Sequence, residues 1–213
     1  MSINKQKTAS FDVDPQKSFT PLCPGELPVK GGDEIAGELN FMATFASVRV
    51  GSKDAHTPSA PWVVEGHENM LKPTGLPNAD LTWVSHCVPG TEGFKFLDEL
   101  PSPLEYDYFV WKGVEPDLHP YGAAYHDAEW KMSTGVIEYL KAKGIEQVIV
   151  GGLALDFCVK TTALQLAKAG FVVVLYLPAC RGISEQGCDA ALAEMAQAGI
   201  LVINNKQELT DLA

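Results

Sequence analysis

A single cysteine, Cys158, lies where an apolar segment gives way to a helical pattern, in the stretch VIVGGLALDFCVKTTALQLAKAG (148–170). The first turn of a helix has unpaired amides and partial positive charge, and both favour a thiolate over a thiol. Cys158 is therefore a candidate nucleophile. Free cysteines are commonly inert core residues, so the position alone fits a packed cysteine about as well as a reactive one.

Two charged residues that end other predicted strands could act together with this thiol. Asp14, in FDVDPQKSF, ends a strand that Pro15 keeps extended, and its carboxylate could serve as a base. Taken alone, Asp14 fits a turn or capping aspartate better. Lys112, in VWKGVEP, ends an apolar strand just before a glycine. A partly desolvated ammonium beside a thiol and a carboxylate would set the protonation of both.

A second group of residues has the chemistry of a metal site. Asp54 and His56, in GSKDAHTPSAPW, are two residues apart, so on an extended chain their side chains point to the same side. His86, in LTWVSHCVPG, could be a third ligand. Three protein ligands leave positions open for water or substrate, as a catalytic site requires. Each histidine alone fits a surface or loop-packing role, so the prediction depends on the combination.

Strand and helix patterns alternate along the chain and would bring these residues to one end of a sheet. The predicted strands cover 8–14, 47–52, 106–113, 146–153, 171–178 and 200–205, and the predicted helices cover 31–46, 133–144, 158–170 and 184–199. This alternation is typical of crossover units. The sequence therefore predicts an α/β fold with a mostly parallel six-stranded sheet and helices on both faces. Ligands of such sheets bind beyond the carboxyl ends of the strands.

Length and composition indicate one domain over 1–213, with a flexible N-terminus over 1–8 and a loop-rich insertion over 53–105 that carries the metal ligands. The net charge of −11 argues against binding to nucleic acid or anionic lipid, and no apolar run is long enough to span a membrane. The five cysteines have no paired spacing, and the N-terminus lacks the apolar core of a signal peptide. We expect a cytoplasmic protein with a small-molecule partner; a homo-oligomer is compatible with the sequence.

Five motifs in order resemble the nicotinamidase/pyrazinamidase branch of the isochorismatase-like cysteine hydrolases, over roughly residues 9–205. They are VDPQKSFTP, KDAHTP, WVSHCVPGTEG, WKG and GLALDFCVKTTALQLAKAGF. The resemblance implies the isochorismatase-like hydrolase fold. It also implies deamidation of nicotinamide and pyrazinamide to the acid and ammonia, with a place in NAD salvage by analogy.

Carried over residue by residue, the resemblance implies a catalytic triad of Asp14, Lys112 and Cys158. Asp14 would take the thiol proton, and Cys158 would attack the amide carbon to form a thioester that water hydrolyses. The family's oxyanion donors correspond to the backbone amides of Ala154 and Cys158, next to a cis peptide at Leu153–Ala154.

The resemblance further implies one divalent transition metal, zinc, iron or manganese, held by Asp54, His56 and His86. Its role would be to orient the substrate ring. Relatives often have another ligand shortly after the first pair. Here that segment offers Ser59, Glu65 or His67, and Glu65 is the favoured candidate.

Aromatic residues around the substrate ring are implied at Phe19, Trp83 and Tyr121, although Phe19 and Trp83 fit core packing equally well. Leu155 stands where relatives usually have Thr, which makes the neighbourhood of the nucleophile more apolar. Asp12 lies in a strand that relatives fill with apolar residues, and the sequence identifies no partner for it.

Three alternatives follow from these features. Leu155 leaves room for a related hydrolase of another small amide or an N-carbamoyl compound. Relatives that act on isochorismate lack the nucleophilic cysteine, so Cys158 argues against that branch. A non-catalytic metal-binding or thiol redox protein is the alternative of a different class. A redox role usually needs a second cysteine nearby; none is close in sequence, although Cys180 or Cys188 could be near in space.

Overall fold

The computed structural model describes residues 2–213, in which eight strands are formed. They are β1 Thr8–Val13, β2 Val48–Asp54, β3 Pro73–Leu76, β4 Ala79–Leu81, β5 Tyr108–Lys112, β6 Gln147–Leu153, β7 Val172–Arg181 and β8 Leu201–Ile203. Six of them form one parallel sheet in the order β5-β2-β1-β6-β7-β8, and β3 and β4 form a separate antiparallel pair.

Five α-helices connect or follow the strands. They are α1 Ala36–Ala43, α2 Val136–Ala142, α3 Lys160–Lys168, α4 Glu185–Gln197 and α5 Lys206–Asp211. A short π-helical turn, Leu155–Val159, leads directly into α3. No helix within residues 2–213 is long and apolar enough to cross a membrane.

Side chains of the sheet alternate between two apolar cores. Ile149 points to the core that contains Leu39 and Met42 of α1, whereas its neighbours Val148 and Val150 point to the core formed with α2, α3 and α4. The continuous apolar run of β6 therefore reflects burial on both faces, as in other parallel sheets. Full burial of such a side chain stabilises the fold by about 1.5–3 kcal/mol. The predicted α/β class with helices on both faces is confirmed.

Some elements differ from the sequence prediction. The sequence predicts neither α5 nor the β3–β4 pair, because α5 is a short polar segment with one buried residue, Leu209, and the pair includes Pro73 and Gly75. In the segment predicted to be flexible, Met1 lies outside the described residues. Ile3 is buried, and its amide donates to the carbonyl of Leu212.

The chain reverses its direction across the sheet between β1 and β6. From β1 it proceeds outward to β2 and β5, and then returns to β6 before continuing to β7 and β8. Such a switch point is where open α/β sheets bind ligands. Gly152 allows the two strands to meet there: its φ is 136°, and a Cβ would lie 1.9 Å from the carbonyl oxygen of Val13.

Candidate active site

Lys112, the last residue of β5, is fully buried and lies at the centre of the site. Its Nζ is 2.9 Å from Asp14 Oδ2 and 3.6 Å from Cys158 Sγ, and it also donates to Asp54 Oδ1. Burial alone would lower the pKa of Lys112, but the carboxylates of Asp14 and Asp54 outweigh it and raise the pKa well above its usual value. Lys112 is therefore a buried ammonium shared by two carboxylates and a thiol.

Asp14 directly follows β1 and has a φ of 44°, a left-handed conformation that turns the chain at the end of the strand. Ser52 Oγ, on β2, donates to Asp14 Oδ1 at 2.7 Å. Burial raises the pKa of Asp14 to about 6, although the charge of Lys112 acts in the opposite direction. A carboxylate with this pKa is ionised at neutral pH and can still accept a proton, which is the property of a general base.

Cys158 lies in the π-helical turn that follows β6 and is buried. The preceding Leu153–Ala154 peptide is cis, as the motif resemblance implies. The sequence predicts that the start of the helix favours the thiolate, but the pKa of Cys158 is raised well above its usual value. Burial is the largest cause, and the carboxylates of Asp14 and Asp54 add to it. The thiol therefore holds its proton and requires a base to remove it.

Three buried histidines lie together beside the triad: His56, His86 and His119. One ring nitrogen of each lies within 4.8 Å of those of the other two. His56 follows β2, and Gly113 makes room for its ring: with a φ of 75° at Gly113, a Cβ would lie 2.2 Å from the imidazole. This group could hold a metal ion.

The hydrogen bonds of the histidines leave nitrogens free for a cation. Nδ1 of His56 is 3.0 Å from the carbonyl of Gly113, and Nδ1 of His86 is 2.8 Å from the carbonyl of Val84. An Nδ1–H that donates to a carbonyl fixes the tautomer with a lone pair on Nε2, the arrangement typical of metal-binding histidines. Nε2 of His56 has no hydrogen-bond partner within residues 2–213. Burial lowers the pKa of His86 to about 3, so its ring is neutral, as metal binding requires.

Asp54 lies between the triad and the histidines. Its Oδ1 accepts from Lys112 and is 3.5 Å from Nε2 of His56. Asp14, Asp54 and Cys158 form a second group with a suitable spacing for a metal, but the ammonium of Lys112 contacts all three of them. The histidine side of Asp54 is therefore the place where the residues fit a metal ion.

The residues that the sequence offers as a further metal ligand are not part of this group. Glu65, the favoured candidate, is exposed, as are Ser59 and His67. His119, which the sequence analysis did not select, lies with His56 and His86 instead. It follows Lys112 by seven positions on the loop that leaves the same end of the sheet, and that proximity was the available signal.

A small cavity opens onto the cysteine and the histidines. Its lining consists of Phe19, Leu27, Asp54, Trp83, His86, His119, Tyr121, Ala154, Phe157, Cys158 and Ile183. The three predicted aromatic residues are therefore brought together, whereas Leu27, Phe157 and Ile183 gave no signal in the sequence. Trp83 Nε1 donates to Tyr121 Oη, which donates to Asp80. The polar groups of both rings are thus bound within the protein, and the cavity receives their apolar faces.

Leu155 is placed differently from the sequence expectation. Its side chain is buried in the core with α2, α3 and α4 and is not among the residues that line the cavity. The substitution of Leu for Thr at this position therefore changes the packing behind the nucleophile rather than the surface presented to a ligand.

Gln16 holds the backbone of Asp54 in place. The fully buried side chain accepts from Asp54 N at 2.8 Å and donates to Asp54 O at 2.9 Å and Phe94 O at 3.3 Å. These paired bonds resemble those of a neighbouring strand and continue the sheet past the point where β1 ends. Asp54 is therefore fixed by its main chain as well as by its carboxylate.

The partner of Asp12 is Arg49 on the adjacent strand β2. Arg49 Nη2 and Nε donate to Asp12 Oδ2 at 2.6 and 3.0 Å, and Tyr106 Oη donates to the same oxygen at 2.7 Å. Burial raises the pKa of Asp12, and Arg49 acts against it. None of the three residues lines the cavity, so this network supports the sheet.

Comparison with known proteins places this architecture among relatives. The isochorismatase domain family matches residues 13–207. A nicotinamidase from Acinetobacter baylyi is 32% identical over 201 residues, with 92% of each chain covered. A solved nicotinamidase/pyrazinamidase from Acinetobacter baumanii has a TM-score of 0.83 at 31% identity, over 98% of this chain and 99% of that one. A pyrazinamidase of Pyrococcus horikoshii in complex with zinc has a TM-score of 0.71 at 29% identity, over 93% and 99%. These matches confirm the resemblance seen in the motifs.

Proposed function

The chain belongs to the isochorismatase domain family, and we propose that it hydrolyses nicotinamide to nicotinate and ammonia through a thioester on Cys158. Pyrazinamide, which has a similar ring and the same amide, is a second substrate. The observation that carries the proposal is the position of Lys112, whose ammonium contacts both Asp14 and Cys158 at the inner end of an aromatic cavity. A hydrolase of amide bonds needs such a nucleophile and base side by side.

The reaction begins with proton transfer from the Cys158 thiol to the Asp14 carboxylate. The sulfur attacks the amide carbon, and the amides of Ala154 and Cys158 donate to the oxyanion of the tetrahedral intermediate. One such donor typically contributes about 10²–10³ in rate. Asp14 then gives its proton to the departing nitrogen, which leaves as ammonia. The thioester remains on Cys158.

Water completes the cycle with the same groups. Asp14 takes a proton from the attacking water and returns it to sulfur as the carbon–sulfur bond breaks. The product leaves as nicotinic acid, which loses its proton to solvent to give nicotinate. Lys112 stays charged throughout and balances the negative charge that moves between Asp14 and Cys158. The buried site excludes bulk water, which strengthens these charge interactions.

One divalent transition metal, zinc, iron or manganese, belongs to the proposal, with Asp54, His56 and His86 as ligands. The unpartnered Nε2 of His56 and the neutral ring of His86 support it. When bound, the metal supplies a Lewis-acid site for the ring nitrogen and thereby orients the ring. Phe19, Trp83 and Tyr121 would enclose that ring.

The alternative substrates receive less support. Leu155 was the feature that favoured another small amide or an N-carbamoyl compound, and its side chain does not line the cavity. All five cysteines are free, and the nucleophile must be reduced to act, which suits a cytoplasmic location.

Ammonia release from nicotinamide tests the proposal. We expect the purified protein to release one ammonia per nicotinate formed, and Cys158→Ala to release none while keeping its fold by circular dichroism. Removal of the metal by a chelator should abolish turnover, and readdition should restore it. Cys23→Ala is the matched control, because Cys23 lies outside the cavity. Turnover by Cys158→Ala would contradict the thioester, and full turnover of metal-free protein would contradict the metal.

A further inference from the structure

We infer that His119, from the loop after β5, is a ligand of the metal ion together with His56 and His86. The inference rests on the proposed function for the presence of a metal, and goes beyond it in naming a histidine that none of the motifs contains. With this ligand, the metal site would consist of three imidazole rings beside Asp54.

The first argument is the burial of His119 without a partner. His119 is 5% exposed, and neither Nδ1 nor Nε2 of its ring has a hydrogen-bond partner within residues 2–213. Buried polar groups are almost always hydrogen-bonded, because an unpaired one loses its hydration without compensation. A metal ion would bind the lone pair of one ring nitrogen and so compensate for that loss.

The second argument is the position of the ring. Its centroid is 4.8 Å from that of His56 and 5.7 Å from that of His86. The ring nitrogens of the three residues lie within 4.8 Å of one another. Ligands at about 2.0–2.1 Å from a common zinc ion lie about 3.4 Å apart in a tetrahedral site, so inward shifts of about 1 Å would bring the three nitrogens onto one ion. Trp62 and Trp83 pack around His119 and leave it few alternative directions.

The third argument is the way in which the chain holds this loop. The amide of His119 donates to the carbonyl of Asn78 at 2.8 Å, and Lys112 donates to the carbonyl of the next residue, Pro120, at 3.4 Å. The backbone on both sides of the ring is therefore fixed. A histidine held in this way is preorganised, as metal ligands in rigid sites are.

Metal binding measured without turnover tests the inference. Metal-free wild-type protein and the His119→Ala and His67→Ala variants are titrated with Zn²⁺ in a competition assay with a chromophoric chelator. Loss of an outer-shell partner typically weakens binding 10–100-fold, so we expect loss of a ligand in His119→Ala to weaken it by at least about 100-fold. His67→Ala, an exposed histidine, should bind as the wild type does. Equal affinity of His119→Ala and wild type would overturn the inference.

A second measurement on the unmutated protein removes any dependence on the folding of a variant. Long-range ¹H–¹⁵N spectra report the side-chain nitrogens of all five histidines. We expect Zn²⁺ to shift the ring nitrogens of His56, His86 and His119, and to leave those of His67 and His126 in place. A change in only the first two would overturn the inference.

The same experiments separate this inference from the proposed function. Ammonia release from nicotinamide by the wild type, combined with unchanged Zn²⁺ affinity in His119→Ala, would remove the ligand and keep the activity. Zn²⁺ binding that depends on His119, without ammonia release, would keep the ligand and remove the activity.

Discussion

Replacement of Lys112 by Met should inactivate the site, because it should raise the pKa of Asp14 and leave this proposed base protonated. The variant keeps a long side chain but removes the ammonium that lies 2.9 Å from Asp14 Oδ2. At an effective dielectric constant of about 20, unit charges at that distance attract each other by about 6 kcal/mol. Since 1.36 kcal/mol corresponds to one pH unit, loss of this attraction should raise the pKa of Asp14 by about four.

The expected loss of activity depends on the pKa of Asp14 in the wild-type protein. Burial already raises the pKa of Asp14 to about 6, so in the variant the carboxyl should titrate at about pH 10. At pH 7.5 only about one molecule in 300 would then have the carboxylate needed to accept the thiol proton. We expect kcat/KM to fall about 300-fold at this pH and to recover by about tenfold for each unit of increasing pH.

The assay is the pH profile of kcat/KM for ammonia release from nicotinamide between pH 5 and 9.5, with metal content measured at each pH. In the wild type, the rate should fall below about pH 6, because Asp14 is then protonated. Lys53→Met is the matched control: Lys53 is also a buried lysine, but it lies over the rings of Phe94 and Phe96. It should keep the wild-type profile. The reasoning is refuted if Lys112→Met loses the same factor at every pH while its acid limb stays near that of the wild type.

Three further predictions test other contacts. Ser52→Ala removes the hydrogen bond to the charged form of Asp14, so the acid limb should move upward by about one pH unit; an unmoved limb would contradict this. Arg49→Met leaves Asp12 buried without its cation and should lower the free energy of unfolding in urea by about 3–5 kcal/mol, whereas a loss below about 1 kcal/mol would show that the pair is unimportant. Leu155→Thr should lower that free energy by about 2–4 kcal/mol. The Leu155→Thr variant should change the preference for nicotinamide over other amides by less than about tenfold. A larger change would show that Leu155 takes part in substrate selection.

The convergence of Asp14, Lys112 and Cys158 could be predicted from the sequence because each residue stands at the end of a strand or shortly after it. Asp14, Lys112 and Cys158 each follow an apolar run that reads as a buried strand, and parallel strands end at one edge of the sheet. The fold class followed from the same alternation of strands and helices. Asp54 and His56 could be predicted to act together because residues two positions apart on an extended chain point to the same side.

Residues whose positions depend on irregular backbone could not be predicted in this way. His119 lies on a loop without periodicity, and nothing in its neighbours gives the direction of its ring. The partner of Asp12 depended on which strand lies beside β1 and on the register that brings Arg49 near it. The pKa of Cys158 depends on how many carboxylates surround it and how deeply it is buried, which the sequence of its own helix does not contain.

One glycine joins the two halves of the site. Gly113 directly follows Lys112, and its carbonyl accepts from Nδ1 of His56, so the lysine beside the proposed nucleophile and a proposed metal ligand are held by adjacent residues. The distance between the proposed metal and Cys158 is therefore constrained by a short stretch of backbone, by this hydrogen bond and by the contact of Lys112 with Cys158. With the proposed metal holding the ring nitrogen, we expect the protein to discriminate among amides by the number of ring atoms between that nitrogen and the amide carbon.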